Sequence, residues 1–507
     1  MVTDDRHRGR VKIYTDVKDI NSDNVISVLT DALITHSTNR ELIEYLFNYE
    51  KGIQPINDRV KEVRPEINIK IAENNAAQIS DFKISYEFGS PITYVQRSKK
   101  QVPASDSDKD DMRITALNEM LFEESKASKD VQLARHFKIC GVGYRMVKAK
   151  RKPFGKSVFD VLILNPLSTF VVYSNDIYQE PVMACTYSVQ KNGNTLYGVY
   201  TKDTYFEIDN GTRIVNGVKT EGKWSVMNGK GVKNIPSIIP IVEYVNDYDR
   251  MGCFEKVIPI LDAINIVNSD RVNDVAQHVQ SLLWLNNADI DNDMLGKLRE
   301  YGIIKTTSTN GVQAGVHYVE TTLNQSETQT LVDYLHGKAM KIAGVPERQE
   351  NSGGGSTGSA MNLSSGWQFA ETAAINSESI FEESERRSIQ IMLEIIKKSN
   401  DIPREFADIV NLSISDVMIR FSRNKIYDIA TKSNALSTLI KTGIDAKHAI
   451  ETVSLFTDPQ SVYNDSKEGI EKIQESLNKS GKATTEESDK TNPDMSDQPQ
   501  KVPFSNT

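Results

Sequence analysis

A glycine- and serine-rich stretch, Glu350–Gly366, contains a spacing that could place a nucleophilic serine. Gly354–Gly358 satisfies G-x-S-x-G, in which Ser356 would be the nucleophile of a hydrolase. Such a nucleophile requires an apolar strand immediately before it, because the strand holds the serine in a sharp turn. Val345–Ser352 (VPERQENS) is polar and charged. A serine hydrolase is therefore the weaker interpretation and stays an alternative.

The same stretch also has the glycine spacing of a phosphate-binding loop. Gly353 and Gly358 are separated as in G-x-x-x-x-G, but Ser359 and Ala360 stand where a lysine and a hydroxyl residue should reach phosphate and magnesium. Gly141–Gly143 lacks the third glycine and the downstream acid of a dinucleotide site, so it is interpreted as a turn entering a strand. We therefore expect no nucleotide and no other cofactor.

A run of carboxylates resembles a calcium-binding loop. The matching positions 1, 3, 5 and 12 are occupied by Asp289, Asp291, Asp293 and Glu300. Met294 stands at position six, which needs glycine for the sharp turn, and Lys297 stands at position nine. The histidines show no metal-ligand spacing either. We expect no metal site and no catalytic residue, so the chain is predicted not to be an enzyme.

Composition limits the function classes further. The chain has 507 residues and a formal net charge of −9, which predicts roughly two to four structural units. An acidic chain is unsuited to coating nucleic acid, although it is compatible with a channel that lets DNA pass without gripping it.

Cysteine usage and hydropathy indicate the cellular compartment in which the protein is expected. Cys140, Cys185 and Cys253 are widely separated and odd in number, so free thiols in a reducing compartment are expected. Met1–Lys12 carries no apolar segment, and no run of about eighteen apolar residues occurs, so neither secretion nor membrane spanning is expected. The tail, residues 480–507, is polar and is predicted to be disordered.

Periodic patterns predict an α+β fold, with helices followed by an antiparallel sheet. One helix is expected around Val25–Leu33, and a capping-box spacing at Thr38–Glu41 predicts the start of a second that stops at Gly52. Further helices are predicted from Ala76 to an end at Gly89, at Met112–Ser128 and at Val131–Cys140. The predicted strands are Ile92–Val95, Arg145–Lys150, Val158–Leu164, Phe170–Tyr173, Val182–Val189, Leu196–Thr201, Thr204–Ile208 and Ile238–Tyr244.

From Asp249 onwards the pattern becomes mainly helical. Apolar residues recur every three or four positions from Phe254 to Leu282. This spacing predicts one long helix whose opposite face is exposed to solvent. That polar face comprises Asp270, Arg271, Asn273, Asp274 and Gln277. A small α/β insert follows, with a helix at Asp293–Glu300 and strands at Gly302–Thr306 and Gly315–Glu320, before a helix at Glu327–Ile342.

Behind the glycine-rich stretch, Trp367–Lys398 contains no Gly or Pro and has apolar residues at helical spacing. An unbroken helix of this length would extend about 48 Å. A strand at Val417–Ser422 and helices at Ile426–Thr442, Ala446–Ser454 and Pro459–Asn478 are predicted to follow.

In order and spacing, the chain resembles the portal proteins of tailed bacteriophages, specifically the SPP1-like branch from phages of Gram-positive hosts. The stretches that carry the resemblance are Ile67–Tyr94 (INIKIAENNAAQISDFKISYEFGSPITY), Cys140–Val147, Asn165–Asp176, Pro240–Val275 and Val417–Asn424. The resemblance extends roughly from Arg40 to Asn478.

The resemblance implies a portal fold assembled as a ring of about twelve subunits. Its implied parts are a wing (1–245), a stem of two helices (246–285 and 326–345), a small α/β clip (286–325), a tunnel loop (346–366), a long kinked helix (367–400), a strand returning to the wing (401–425), a helical crown (426–479) and the tail (480–507).

The resemblance also implies a site and partners. The tunnel loop facing double-stranded DNA would comprise Asn351, Ser352, Gly353, Gly354, Gly355, Ser356, Thr357, Gly358, Ser359 and Asn362. The clip residues facing the motor and adaptor would be Asp289, Asp291, Asp293 and Lys297. Implied partners are the terminase large subunit, the head-tail adaptor, and the major capsid and scaffolding proteins, with assembly in the host cytoplasm and no membrane. Another virion structural or adaptor protein stays an alternative, and the paired stem helices argue against it.

Overall fold

A computed structural model describes residues 9–62, 65–97, 104–151, 155–215, 218–279, 283–286, 315–318, 325–346, 366–421, 423 and 429–453, and isolated positions at 455–456, 462–463, 466–467 and 469. The chain divides into two compact units, Met1–Asn424 and Lys425–Thr507. Within the described ranges, no helix is both long enough and apolar enough to cross a membrane.

The helices agree closely with the sequence patterns. In chain order they are α1 (Val25–Glu50), α2 (Asn75–Phe88), α3 (Ala104–Glu123), α4 (Lys126–Cys140), α5 (Ile258–Val279), α6 (Gln325–Ala343), α7 (Trp367–Lys398), α8 (Ile429–Lys441) and α9 (Ala446–Val453). The bounds of α7 are those predicted, because the segment lacks any helix-breaking residue. A kink in α7 stays a prediction.

Several predicted helix boundaries are wrong. Thr38–Glu41 does not begin a helix, because α1 runs through it without interruption. Nearby, the side chain of Asn39 accepts a hydrogen bond from Val11 N and donates one to Val11 O, both at 2.8 Å, so this residue has a partner outside the helix. The break between α3 and α4 also lies earlier than predicted, at Ser125, whose φ of 51° is left-handed.

The strands form one large sheet and several small ones. Their bounds are β1 (Ile13–Thr15), β2 (Thr93–Gln96), β3 (Val142–Ala149), β4 (Phe159–Leu164), β5 (Thr169–Ser174), β6 (Pro181–Val189), β7 (Thr195–Tyr200), β8 (Thr204–Asp209), β9 (Arg213–Val215), β10 (Val218–Thr220), β11 (Ser225–Val226), β12 (Val232–Lys233), β13 (Ile241–Val245), β14 (Leu283–Asn286), β15 (Gly315–Tyr318) and β16 (Val417–Arg420).

The large sheet has the order β1-β5-β6-β7-β8-β11, and β12 also pairs with β8. In this sheet β1 pairs with β5 in parallel, and the other described pairings are antiparallel. A second sheet, β13-β3-β4, contacts both α4 and α7. The late strand β16 lies within the strand predicted at Val417–Ser422, and it pairs with β2, a partner that the sequence did not predict.

The first stem helix differs from its prediction in length and in its polar face. α5 ends at Val279, and residues 283–286 form β14, which pairs with β15, so the predicted helix to Leu285 is wrong. Asn273 was predicted to face solvent, but it is 1% exposed. Val272 and Val275, on the predicted apolar stripe, are instead 36% and 45% exposed.

The buried polar face of α5 holds an extended segment of the chain. Asn265, Ser269 and Asn273, one turn apart, accept hydrogen bonds of 2.7–2.9 Å from the backbone amides of Glu73, Ile71 and Ile69. Asn273 also donates to the carbonyl of Ile69 at 3.0 Å. The helix side chains therefore act as the partner that a neighbouring strand would otherwise supply.

The second unit contains α8 and α9, near the helices predicted at residues 426–442 and 446–454. Most of the helix predicted at 459–478, and the tail at 480–507, lie outside the described residues.

Candidate functional site

The residues predicted to face DNA lie outside the described part of the chain. This holds for Asn351, Ser352, Gly353, Gly354, Gly355, Ser356, Thr357, Gly358, Ser359 and Asn362, and equally for the clip residues Asp289, Asp291, Asp293 and Lys297. The structure does describe the two points where the chain enters and leaves the loop, and the helices that hold them.

The two ends of the loop lie side by side. Pro346 is the last described residue after α6, and Gly366 is the first described residue before α7. A Cβ atom built on Gly366 would lie 3.9 Å from the Cα of Pro346. The two described ends of this stretch, Pro346 and Gly366, are therefore neighbours in space.

Left-handed glycines turn the chain at both helix ends of this loop. Gly344 follows α6 with φ of +70°, and Gly366 precedes α7 with φ of +82°. A Cβ on Gly344 would lie 3.1 Å from Lys83 Nζ and 3.3 Å from the ring of Phe369. The left-handed dihedral angle favours glycine at 344, and a larger residue would also have to displace Lys83 or Phe369 slightly.

An aromatic cluster supports the base of the loop. Phe82 and Tyr86 of α2 stack with ring centroids 5.5 Å apart and nearly parallel planes. Trp367, the first residue of α7, packs against both, with centroids 5.9 Å and 5.8 Å away. Since such contacts add to simple burial, they fix the start of α7 against α2.

A buried ion cluster fixes α7 further along its length. Arg145 of β3, with no exposed side-chain surface, donates to Asp130 of α4 and, at 2.5 Å, to Glu385 of α7. Lys126 lies 2.7 Å from Asp130 and 3.0 Å from Glu385. The hydroxyl of Tyr244 donates to Glu385 at 2.9 Å. Two cations and two carboxylates thus compensate one another among α4, β3 and α7.

The electrostatics of this cluster keep Glu385 ionised. Burial alone would raise the pKa of Glu385, but the charges of Arg145 and Lys126 outweigh burial and lower the pKa to about 2. The contribution of the ionised carboxylate to stability is therefore present above its ordinary pKa of 4.5 and is lost as the pH falls towards 2.

The stem helices pack on each other and leave apolar side chains uncovered. α5 contacts α6, and Arg271 donates to Gln325 at 3.2 Å and to Gln329 at 2.8 Å. On α6, Leu331, Tyr334 and Ile342 follow helical spacing and are 47%, 60% and 56% exposed. With Val272 and Val275 of α5, they form what we call the stem apolar residues. They remain uncovered within a single subunit.

Sequence patterns alone did not reveal the residues that hold α7. Arg145 lies in an otherwise apolar buried strand, and its partner Glu385 is 240 positions away. An arginine inside the apolar run of β3 was a usable signal, because a buried guanidinium requires a carboxylate partner. The identity of that partner follows only from the tertiary structure.

Comparison with protein families gives a match over most of the chain. The family model described as phage portal protein, SPP1 Gp6-like, matches residues 31–483. The match begins inside α1 and extends beyond α9. It therefore includes α5, α6, α7, the tunnel loop that joins α6 to α7, and the residues of the ion cluster. No curated protein matches the chain.

Proposed function

Because the chain belongs to the family of SPP1 Gp6-like phage portal proteins, we propose that it forms the ring-shaped channel at one capsid vertex. The genome would be packaged through this channel by the terminase and later ejected through it. Portal proteins are structural components of the virion, so the protein is a virion component. We propose that its work is assembly and DNA conduction rather than catalysis. We propose that the ring has about twelve subunits and assembles in the host cytoplasm.

Ring formation is supported most directly by the stem apolar residues. The five stem apolar residues are each at least 36% exposed in the single subunit, and Ile266 of α5 is 47% exposed. Two thin helices cannot bury both of their faces against each other, so neighbouring subunits are the natural cover. A head-to-tail contact of this kind closes into a ring when the rotation between neighbours permits it.

We expect Val275→Glu combined with Tyr334→Glu to prevent or strongly reduce ring formation, since each ring contact would then bury an unpaired carboxylate. Size-exclusion chromatography with light scattering measures the change. Ile34→Glu is the matched control, because Ile34 of α1 is 72% exposed and lies outside the stem. Normal rings in the double variant would contradict this assignment of the subunit contact.

We propose that the chain is divided into the parts of a portal subunit. The wing would be 1–245, the stem 246–285 and 326–345, the clip 286–325, the tunnel loop 346–366, the long helix 367–400, the returning strand 401–425 and the crown 426–479, with the tail at 480–507. The observed helices α5, α6 and α7 support this division, with the first stem helix shortened at both ends, to Ile258–Val279.

We propose that the tunnel loop is the part of the subunit that faces DNA. Residues 351–366 carry no formal charge, and the adjacent ends at Pro346 and Gly366 support a projecting loop. A neutral surface suits a channel, because each lysine or arginine that pairs with a phosphate adds affinity through counterion release. Hydroxyl and amide groups can exchange contacts with water as the DNA moves.

The clip is proposed to contact the terminase large subunit and the head-tail adaptor, while capsid and scaffolding proteins would contact the ring elsewhere. We expect alanine at Asp289, Asp291 and Asp293 to reduce co-purification of the terminase at least several-fold while rings still form. Asp81→Ala with Glu383→Ala is the control, since these carboxylates are exposed and lie outside the clip. Loss of the rings in the triple variant would refute this division of roles.

A further inference from the structure

The two halves of α7 are held in different ways. From Phe381 to Ile396 the helix lies in the core, with Ile389, Met392 and Ile396 fully buried. Ahead of Phe381, only Ala370 and Ala374 are buried. Two alanines contribute little apolar area, so this first half, which leads directly from the loop, depends on other contacts for its position.

Arg423 supplies the main polar contact of this first half. Its guanidinium binds Glu378 and, at 2.9 Å, Glu371, two turns apart on one face of α7. The hydroxyl of Tyr86 donates to Glu371 at 2.6 Å, and the guanidinium lies 5.9 Å from the centre of the Tyr86 ring. The side chain of Arg423 is 8% exposed, so solvent screens these charges only weakly.

Other charged groups surround this contact. Lys138 of α4 lies 2.6 Å from Glu87 of α2 and donates to Ser377 of α7 at 2.8 Å. The ionisable groups that face the region are Lys83, Tyr86 and Glu87 on α2, Lys138 on α4, Cys253 before α5, Glu371 and Glu378 on α7, and Arg423. Three lysine or arginine cations therefore face three carboxylates.

We propose that Arg423 is a positioning residue for the loop-bearing end of α7. By binding Glu371 and Glu378 together, it fixes the first three turns of the helix against α2 and so fixes where the tunnel loop re-enters the subunit. This inference rests on the proposed channel function and adds to it a residue that sets the position of the DNA-facing loop.

The contact depends on pH in a defined direction. Burial, followed by repulsion from Glu87 and Glu371, raises the pKa of Glu378 to about 7 although Arg423 opposes the rise. Stability from the protonated carboxyl is therefore fully present below its ordinary pKa of 4.5 and is lost as the pH rises through about 7. Above that pH the ionised Glu378 depends on the guanidinium for compensation.

Hydrogen exchange on the full-length protein tests the position of the helix. In Arg423→Gln at pH 8, we expect the amides of residues 371–379 to exchange at least tenfold faster, while the amides of residues 385–396 keep their rates. The difference from wild type should narrow at pH 6, where Glu378 is largely protonated. Arg387→Gln is the control, because Arg387 forms an exposed pair with Glu383 on the same helix.

Two further variants separate positioning from general destabilisation. Arg423→Glu combined with Glu378→Arg restores the pair with reversed charges, and we expect it to recover most of the lost protection relative to Arg423→Glu alone. Unchanged exchange in Arg423→Gln overturns the proposal. An equal increase in both halves of α7 overturns it as well, because the residue would then stabilise the fold without positioning this segment.

Packaging in vitro links the contact to the channel. We expect Arg423→Gln to form rings by electron microscopy and to package DNA several-fold more slowly than wild type. Rings that package at the wild-type rate despite faster exchange would refute the positioning role. If wild-type protein forms no ring or supports no packaging, the proposed function fails, whereas the exchange experiment still tests the contact of Arg423 with α7.

Discussion

Arg145→Ala is expected to lower the free energy of unfolding by about 3–5 kcal/mol, because it leaves Glu385 and Asp130 buried with one cation in place of two. Such a loss is a large part of the roughly 5–15 kcal/mol that stabilises a typical domain. Thermal and urea unfolding followed by near-UV circular dichroism, together with the soluble fraction, measures it. Arg387→Ala, which removes an exposed pair on α7, is expected to cost about 0–1 kcal/mol.

A double variant separates charge compensation from packing. Arg145→Met with Glu385→Leu removes one cation and one carboxylate and leaves Lys126 paired with Asp130. We expect it to lose much less stability than the sum of the two single variants, since neither half of the broken pair remains buried alone. Strictly additive losses would contradict the cluster as the anchor of α7.

The stability lost in Arg145→Ala should depend on pH in a defined direction. Arg145 and Lys126 outweigh the effect of burial and hold the pKa of Glu385 at about 2, below its ordinary 4.5. The difference in stability between wild type and Arg145→Ala should be largest where Glu385 is ionised in both native proteins, and it should shrink as the pH falls towards 2, where Glu385 becomes protonated in both. Urea midpoints measured from pH 3 to pH 7 check this.

Ser356→Lys combined with Ser359→Lys is expected to stop or strongly slow DNA packaging while rings still assemble. Every added lysine is repeated by the symmetry of the ring, and about six to ten phosphate contacts already change DNA affinity by roughly 10³–10⁵-fold between 50 and 200 mM salt. The inhibition should therefore weaken as salt is raised, which a folding defect would not do.

The neutral pair Ser356→Asn and Ser359→Asn is the matched control and should package DNA at the wild-type rate. Packaging is measured as protected DNA per assembled particle over time, at two salt concentrations. If the lysine variant packages normally at low salt, the neutral character of the loop has no role in conduction.

The sequence predicted those elements whose signals are local. Trp367–Lys398 has no Gly or Pro, and its apolar residues Ala370, Phe381 and Ile389 all lie on the buried face. Strands β5 to β8 of the large sheet were also predicted to within a few residues, because alternating apolar residues and turn residues are local signals. The short strands β1, β11 and β12 were not predicted. The family itself was recognised from several degenerate stretches in the expected order, and the match to residues 31–483 confirms it.

Other features depend on partners that are distant in the sequence. Asn273 was predicted to face solvent because polar side chains at helical spacing usually do, yet it binds the backbone of Ile69, and its neighbours Asn265 and Ser269 bind the backbone of Glu73 and Ile71. Likewise, nothing near Arg423 in the sequence indicates its two carboxylates on α7, 45 and 52 positions away. Polar contacts of this kind have no periodic signature in either of the segments that they join.

Electron microscopy of the purified full-length protein tests the central claim most directly. A portal subunit with uncovered stem apolar residues predicts discrete turbine-shaped rings with a central hole wide enough for double-stranded DNA. Class averages viewed along the axis should show one rotational symmetry, near twelvefold. Particles that stay monomeric at every concentration, or that assemble without a central hole, would contradict the proposed channel.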